Sequence, residues 1–375
     1  MNILVQALAK PSAVQADDAA PSPRRAYQRL LQQRLLLGLA MLAALALLLL
    51  IALGSGSYQL GPSAVAAALV AGPSPAEREQ LVAAQVIWSL RLPRVIAALL
   101  AGASLGLAGA VLQGLLRNPL ASPFTLGISQ GAALGATCAI VLFDAGALHA
   151  VGTEAMTLQA PMSVVGLALA GGLGAAALIL LIGTLRGLTP EAVVLAGIAL
   201  GAFASAATMI VQYFASDTQA AATLFWTFGD LGRAGWSEVA WLAAALVAIG
   251  IWPLRAAWHY NALAWGDDLA RGLGVSVARQ RLIGTAAAAA LAAITTAFLG
   301  VIGFIGLIAP HLIRLLIGGD QRFLLPFSAL AGALILLGAD TLARVLIAPV
   351  MLPVGAVTAL LGAPLLLVLL LRQRR

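Results

Sequence analysis

Asp340 and Arg344 stand four residues apart inside an otherwise apolar stretch, a spacing that places both on one face of a helix. An acid and a base so placed form a local ion pair or hold a coupling ion, and ionisable groups in such stretches are rare because they are costly. The other reactive residue types form no constellation. His149, His259 and His311 have no metal-ligand spacing, no HExxH run occurs, and a single cysteine, Cys138, allows neither an intrachain disulfide nor a thiolate metal centre. His311, with Arg314 one turn on, reads as a hydrogen-bonded structural residue. The only lysine, Lys10, lies in a polar tail, so the chain has no glycine-rich loop ending in Lys and Ser/Thr to cradle a nucleotide phosphate. No catalytic residue, metal or cofactor is assigned.

The elements that position these residues are membrane spans. The chain is 62% hydrophobic and 9% charged, too little charge to cover the outside of a soluble protein, whereas lipid tolerates an apolar exterior. Apolar stretches near the spanning length of about 20 residues predict an all-α, polytopic bundle of ten transmembrane helices. They cover 35–53, 82–116, 124–143, 161–183, 191–214, 236–254, 281–299, 304–317, 323–346 and 354–371. Residues 1–34 read as a disordered cytoplasmic tail before an uncleaved first span, and 372–375 as a basic cytoplasmic C-terminus. The net charge of +7 comes without a basic stripe or interleaved aromatics, which excludes a nucleic-acid surface.

With the tail inside, all but five of the 21 Lys and Arg residues (Arg78, Arg91, Arg94, Arg233 and Arg344) fall on the cytoplasmic side, as the positive-inside bias requires. An even span number puts both termini there. Arg91, Arg94 and Arg344 run against the bias, either as interfacial anchors or as a surface for an acidic partner.

Several spans are broken. Asn118, Pro119 and Pro123 belong to a break with two prolines and no charge, and Gly300, Gly303 and Gly306 precede a span too short to cross alone. Irregular backbone at membrane depth is tolerated beside a cavity, which predicts a transport path. Gly102 with Gly106, and Gly197 with Gly201 and Ser205, repeat small residues at one-turn intervals. This serves close packing; lining a path is the alternative for the second series. The largest inner insert, 259–281, holds a two-turn helix capped by Asp267 and closed by Gly272 or Gly274, a connector or a docking handle.

The runs Arg91-Leu-Pro-Arg94, Gly109-Ala-Val-Leu-Gln-Gly114, Arg117-Asn-Pro-Leu-Ala-Ser-Pro123 and Gly127-Ile-Ser-Gln-Gly131 are followed by Gly303-Phe-Ile-Gly-Leu-Ile-Ala-Pro-His-Leu-Ile-Arg314, Asp340-Thr-Leu-Ala-Arg344 and Leu352-Pro-Val-Gly355. In this order they resemble the permeases of type II ABC importers for ferric siderophores, haem and cobalamin. The resemblance implies a bacterial inner-membrane subunit paired with a second copy or paralogue, working by alternating access. Two ATPase subunits binding ATP and Mg would sit inside and a periplasmic binding protein outside, so the chain itself is no enzyme. It implies that Arg91, Arg94 and Arg344 receive glutamates of the binding protein. Asp267, Asp268, Leu269, Arg271 and Leu273 would form the coupling helix against the ATPase, and Leu188, Thr189 and Glu191 the cytoplasmic gate. Ferric siderophore stands ahead of haem or cobalamin as cargo. One departure is Met351, where the family usually has a glutamate. The competing function is a self-contained ion-coupled secondary transporter using Asp340, Glu191 or His311; membrane lipid is a partner in either case.

Overall fold

A computed structural model describes residues 23–372 apart from 57, 59, 74–77, 146–147, 151–155, 159–160 and 349. The chain divides at Ala40 into two units, and the described residues of the first belong to the leading part of the first helix. Helices run in the order α1 (Pro23–Gly54), α2 (Pro62–Ala71), α3 (Arg78–Gln85), a π-helical turn (Val86–Arg91) and α4 (Leu92–Leu115). Then come α5 (Ile128–Leu142), α6 (Pro161–Leu185), α7 (Pro190–Tyr213), α8 (Asp217–Thr227) and α9 (Trp236–Arg255). The last are α10 (Ala257–Ala264), α11 (Asp267–Gly272), α12 (Val277–Leu299), α13 (Ile305–Ile317), α14 (Gln321–Val345) and α15 (Val354–Arg372). One antiparallel hairpin, β1 (Leu148–Ala150) with β2 (Met156–Leu158), is the departure from an all-helical chain among the described residues.

Seven of the described helices are long and apolar enough to cross a membrane, and α5, α13 and α15 are shorter apolar helices that complete the ten expected segments. The differences have local causes. The first helix starts at Pro23, so residues 23–34, expected to be disordered, are helical; residues 1–22 and 373–375 of the expected tails lie outside the described residues. The third segment starts at Ile128 rather than at 124, because Ser122 and Thr125 bond each other's backbone and hold 118–127 in turns. The short helices α2, α8 and α10 lie in the links between spans and are too short to stand out as spans, α2 although it is apolar.

The bundle is built around α4. Of its last fifteen residues from Ala101, all but Ala103 are buried, and α14, α12, α13 and α9 pack around it, the pattern of a helix apolar on every side. Contact is backbone to backbone: a Cβ on Gly106 would collide with the Ser328 carbonyl, and one on Gly109 with the Gly306 carbonyl. Small residues permit this approach where lipid removes the hydrophobic drive for helix association. Pro93 lies two residues into α4, and the wide π turn before it makes room for a ring that would otherwise press on the preceding turn. That turn also aims Arg91 and Arg94 toward one end of the bundle.

Candidate functional site

At the α4 N-terminal end, one carboxylate organises several guanidiniums. Asp340 is fully buried, and Arg91, Arg94 and Arg344 are 6%, 8% and 5% exposed. Arg94 donates through Nε to Asp340 Oδ1 at 2.9 Å, with Nη2 2.8 Å from the same oxygen, while Arg344 Nε reaches Oδ2 at 3.1 Å. Asp230, half exposed, lies 3.7 Å from Arg94. Other donors turn to carbonyls, Arg344 Nη1 to Ala52 and Ser55, both at 3.1 Å, and Arg91 to Leu53 and Tyr58, while Arg344 Nη2 is buried without a hydrogen-bond partner. The Ala52, Leu53 and Ser55 carbonyls close the C-terminal end of α1, where cationic side chains satisfy groups the helix leaves unbonded. Met351 puts its sulfur 3.6 Å from Arg94 Nη1. The three arginines read as outward misfits are thus brought together with Asp340, enclosed rather than projecting.

The other end carries a second cluster. Arg281, 3% exposed at the start of α12, grips both oxygens of Asp267 (Nη1–Oδ2 2.9 Å, Nη2–Oδ1 2.7 Å), and Arg117 adds a contact at 3.3 Å. Gly266, at φ 115°, takes the cap position expected for Asp267, whose side chain turns inward to Arg281. Gly274, at φ 81°, ends α11 with Gly274 N bonded to Arg271 O and Val275 N to Ala270 O, the arrangement of a glycine-closed helix. Ala270 is buried, Asp268 pairs with Arg271 at 2.9 Å, and Leu269 and Leu273 stand 52% and 65% exposed. Charge and shape therefore divide α11 into an anchored underside and an outer face that presents Leu269 and Leu273 beside the exposed Asp268–Arg271 pair.

Leu188, at φ 53° and buried, ends the turn into α7; Thr189 caps that helix by accepting from Ala192 N at 3.3 Å, and Glu191 is exposed in its first turn. The break after α4 satisfies its own backbone: Asn118 Oδ1 accepts from Leu120 N at 2.9 Å, Asn118 O from Ala121 N at 3.1 Å, and Pro123 O from Ile128 N at 3.2 Å. Pro119 is exposed and Pro123 buried. The loop lies on α7, where a Cβ on Gly197 would come within 2.9 Å of Leu126 Cα. A cavity of about 220 Å³ opens there, lined by Phe124, Thr125, Gln130, Gly201 and Ser205 among others. Phe124 stacks on Phe304, a non-glycine residue at φ 66° in the second break, with ring centroids 6.3 Å apart.

Sequence reasoning missed Arg281, Arg117 and Asp230. Arg281 had one available signal, a charge within the first turns of an apolar helix near an acidic pair. His311, expected to be hydrogen-bonded, is buried with its Nε2 unpartnered, beside a network in which Gln113 Nε2 donates to Leu307 O at 3.2 Å and Arg314 Nη2 lies 3.4 Å from Gln113 Oε1. Among the described residues no three His, Cys, Asp or Glu side chains gather as a metal site.

Residues 44–372 match the FecCD transport family. The chain is 40% identical over 346 residues to the Fe(3+)-citrate import system permease of Bacillus subtilis, covering 92% of this chain and 97% of that one. It is 42% identical over 290 residues to the hemin transport system permease of Yersinia pestis and 39% identical over 289 residues to the vitamin B12 import system permease of Citrobacter koseri, covering 77% of this chain and 84% of each relative. A solved metal-chelate-type ABC transporter in an inward-facing conformation superposes with a TM-score of 0.76 at 30% identity, over 89% of this chain and 98% of that one. With a family match over most of its length, the same helical architecture and relatives that are permeases, the chain belongs to the FecCD transport family and is a multi-pass membrane permease subunit of an ABC transporter, not its ATPase.

Proposed function

We propose that this permease imports a ferric chelate, with haem and cobalamin as the neighbouring substrate classes, together with an ATPase that binds MgATP and an acidic substrate-binding protein. The observation carrying this reading is the near full-length alignment with a ferric citrate import permease; the hemin and vitamin B12 relatives align over less of both chains. In the proposed arrangement two permease copies enclose the path, the cluster of Arg91, Arg94 and Arg344 faces the binding protein, and α11 seats Leu269 and Leu273 in the ATPase. Three guanidiniums against the enclosed Asp340 and the half-exposed Asp230 leave a net positive charge at the mouth, which steers an acidic partner even from buried positions. The cavity by Thr125, Gln130 and Ser205 lies on the path, and the Leu188–Glu191 turn closes its inner side. Both termini face the cytoplasm.

The test is uptake by proteoliposomes holding the assembled transporter and its binding protein, offered radiolabelled ferric citrate, ferric hydroxamate chelate, haem or cobalamin. ATP-dependent uptake of a ferric chelate is expected. Uptake driven by a proton gradient without ATP overturns the reading in favour of a secondary transporter, and uptake confined to haem or cobalamin overturns the substrate assignment.

A further inference from the structure

Arg281 makes four hydrogen bonds to three separate pieces of backbone and side chain. Its Nε donates to Leu115 O at 3.3 Å, at the end of α4. Nη1 donates to Leu188 O at 3.2 Å, in the turn that leads into α7, and to Asp267 Oδ2 at 2.9 Å; Nη2 reaches Asp267 Oδ1 at 2.7 Å. The guanidinium is planar and its donors are fixed in one plane. It is also buried, so water cannot replace a lost partner at low cost. A displacement of Asp267, the first residue of α11, must therefore rotate the whole fork and disturb the bond to Leu188. The Leu188 turn is poised for such a pull: it holds a non-glycine residue in the left-handed region, a conformation that persists only where its surroundings impose it.

We propose that Arg281 is the positioning residue that ties the movement of α11 to the turn before α7, so that a push on α11 reaches the inner end of the path through one side chain. This rests on the reading of α11 as the ATPase-facing helix. A lysine at 281 would keep the charge and one bond to Asp267, but could not span Asp267, Leu115 and Leu188 together.

The experiment uses the permease assembled with its ATPase, Cys138 replaced, and spin labels at Arg186 and Arg255. Arg186 lies in the same turn as Leu188, and Arg255 gives a reference at the end of α9. Trapping with MgATP and vanadate is expected to shift the distance between labels in the parent, and Arg281→Lys to abolish that shift while the ATPase stays bound. A full shift in Arg281→Lys overturns the proposal and leaves the role of α11 intact. Absence of a shift in the parent, or an unchanged assembly when Leu269→Asp is introduced, overturns the underlying reading instead. If Arg281→Lys does not assemble, Asp267→Ala carries the test, because it removes both acceptors on α11 and leaves the Leu115 and Leu188 bonds in place; a full shift there overturns the proposal equally.

Discussion

Arg94 directs Nε and Nη2 at one oxygen of Asp340, at 2.9 and 2.8 Å, across 246 residues of sequence. Arg344 occupies the other oxygen at 3.1 Å. The carboxylate is thus shared between α4 and α14, and it is the one fully buried acid among three enclosed guanidiniums. Removing one partner of a buried pair leaves uncompensated charge and costs about 3–5 kcal/mol. Asp340→Leu is expected to lower the thermal unfolding temperature of the purified permease steeply. A variant melting with the parent would mean that the cluster is solvated.

Met351 gives a gentler way to alter the same mouth. Its sulfur lies against Arg94, so Met351→Glu adds an acid where a guanidinium is already present and needs no new space in the core. The added charge offsets the positive field, and rim charges act chiefly on association rate and salt dependence. Binding-protein association should slow several-fold at low salt, read by surface plasmon resonance, with less difference at high salt. An unchanged rate at low salt argues against docking on this cluster.

Glycine positions separate packing from propensity. Alanine is the better helix former by about 1 kcal/mol, yet a Cβ on Gly106 or Gly109 would strike backbone, whereas Gly166 has open space around it. Gly106→Ala and Gly109→Ala should lose at least about 1–3 kcal/mol from overpacking and reduce the folded fraction in fluorescence-detected chromatography. Gly166→Ala should match or exceed the parent.

Asp320 caps α14, bonded by Arg322 and by Asn261 Nδ2 at 2.8 Å, and the Arg322 side chain first among these causes holds its carboxyl down to about 2. A depressed folded pKa contributes stability above the unfolded value of about 3.9, and that contribution is lost as pH falls from there through about 2. Melting scans from pH 6 to pH 2 should show a decline below pH 4 that is smaller in Asp320→Asn. Parallel curves would locate the acid sensitivity elsewhere.

The proposed sidedness rests on the arginine distribution. In a Cys138-free background, a cysteine at Asp217 should react with an impermeant thiol reagent added to intact spheroplasts, and one at Gly274 only after permeabilisation. Both positions are exposed. Labelling of the Gly274 site in intact cells would reverse the proposed orientation.

The sequence by itself determined the membrane class, the order of the long helices and the breaks between them. Apolar length, proline and glycine act locally and need no partner to be read. It also determined that Asp340 and Arg344 would meet, since i and i+4 share a helix face whatever surrounds them. The enclosure of Arg91 and Arg94 was not legible, because it depends on the α1 carbonyls and on α14, brought alongside by packing across the chain. The same holds for Arg281: local pattern shows a charge near the start of a helix, but only the approach of α4, α11 and the Leu188 turn supplies its acceptors. Most buried polar groups find partners, and which acceptors stand within reach of a buried arginine is decided by the tertiary fold.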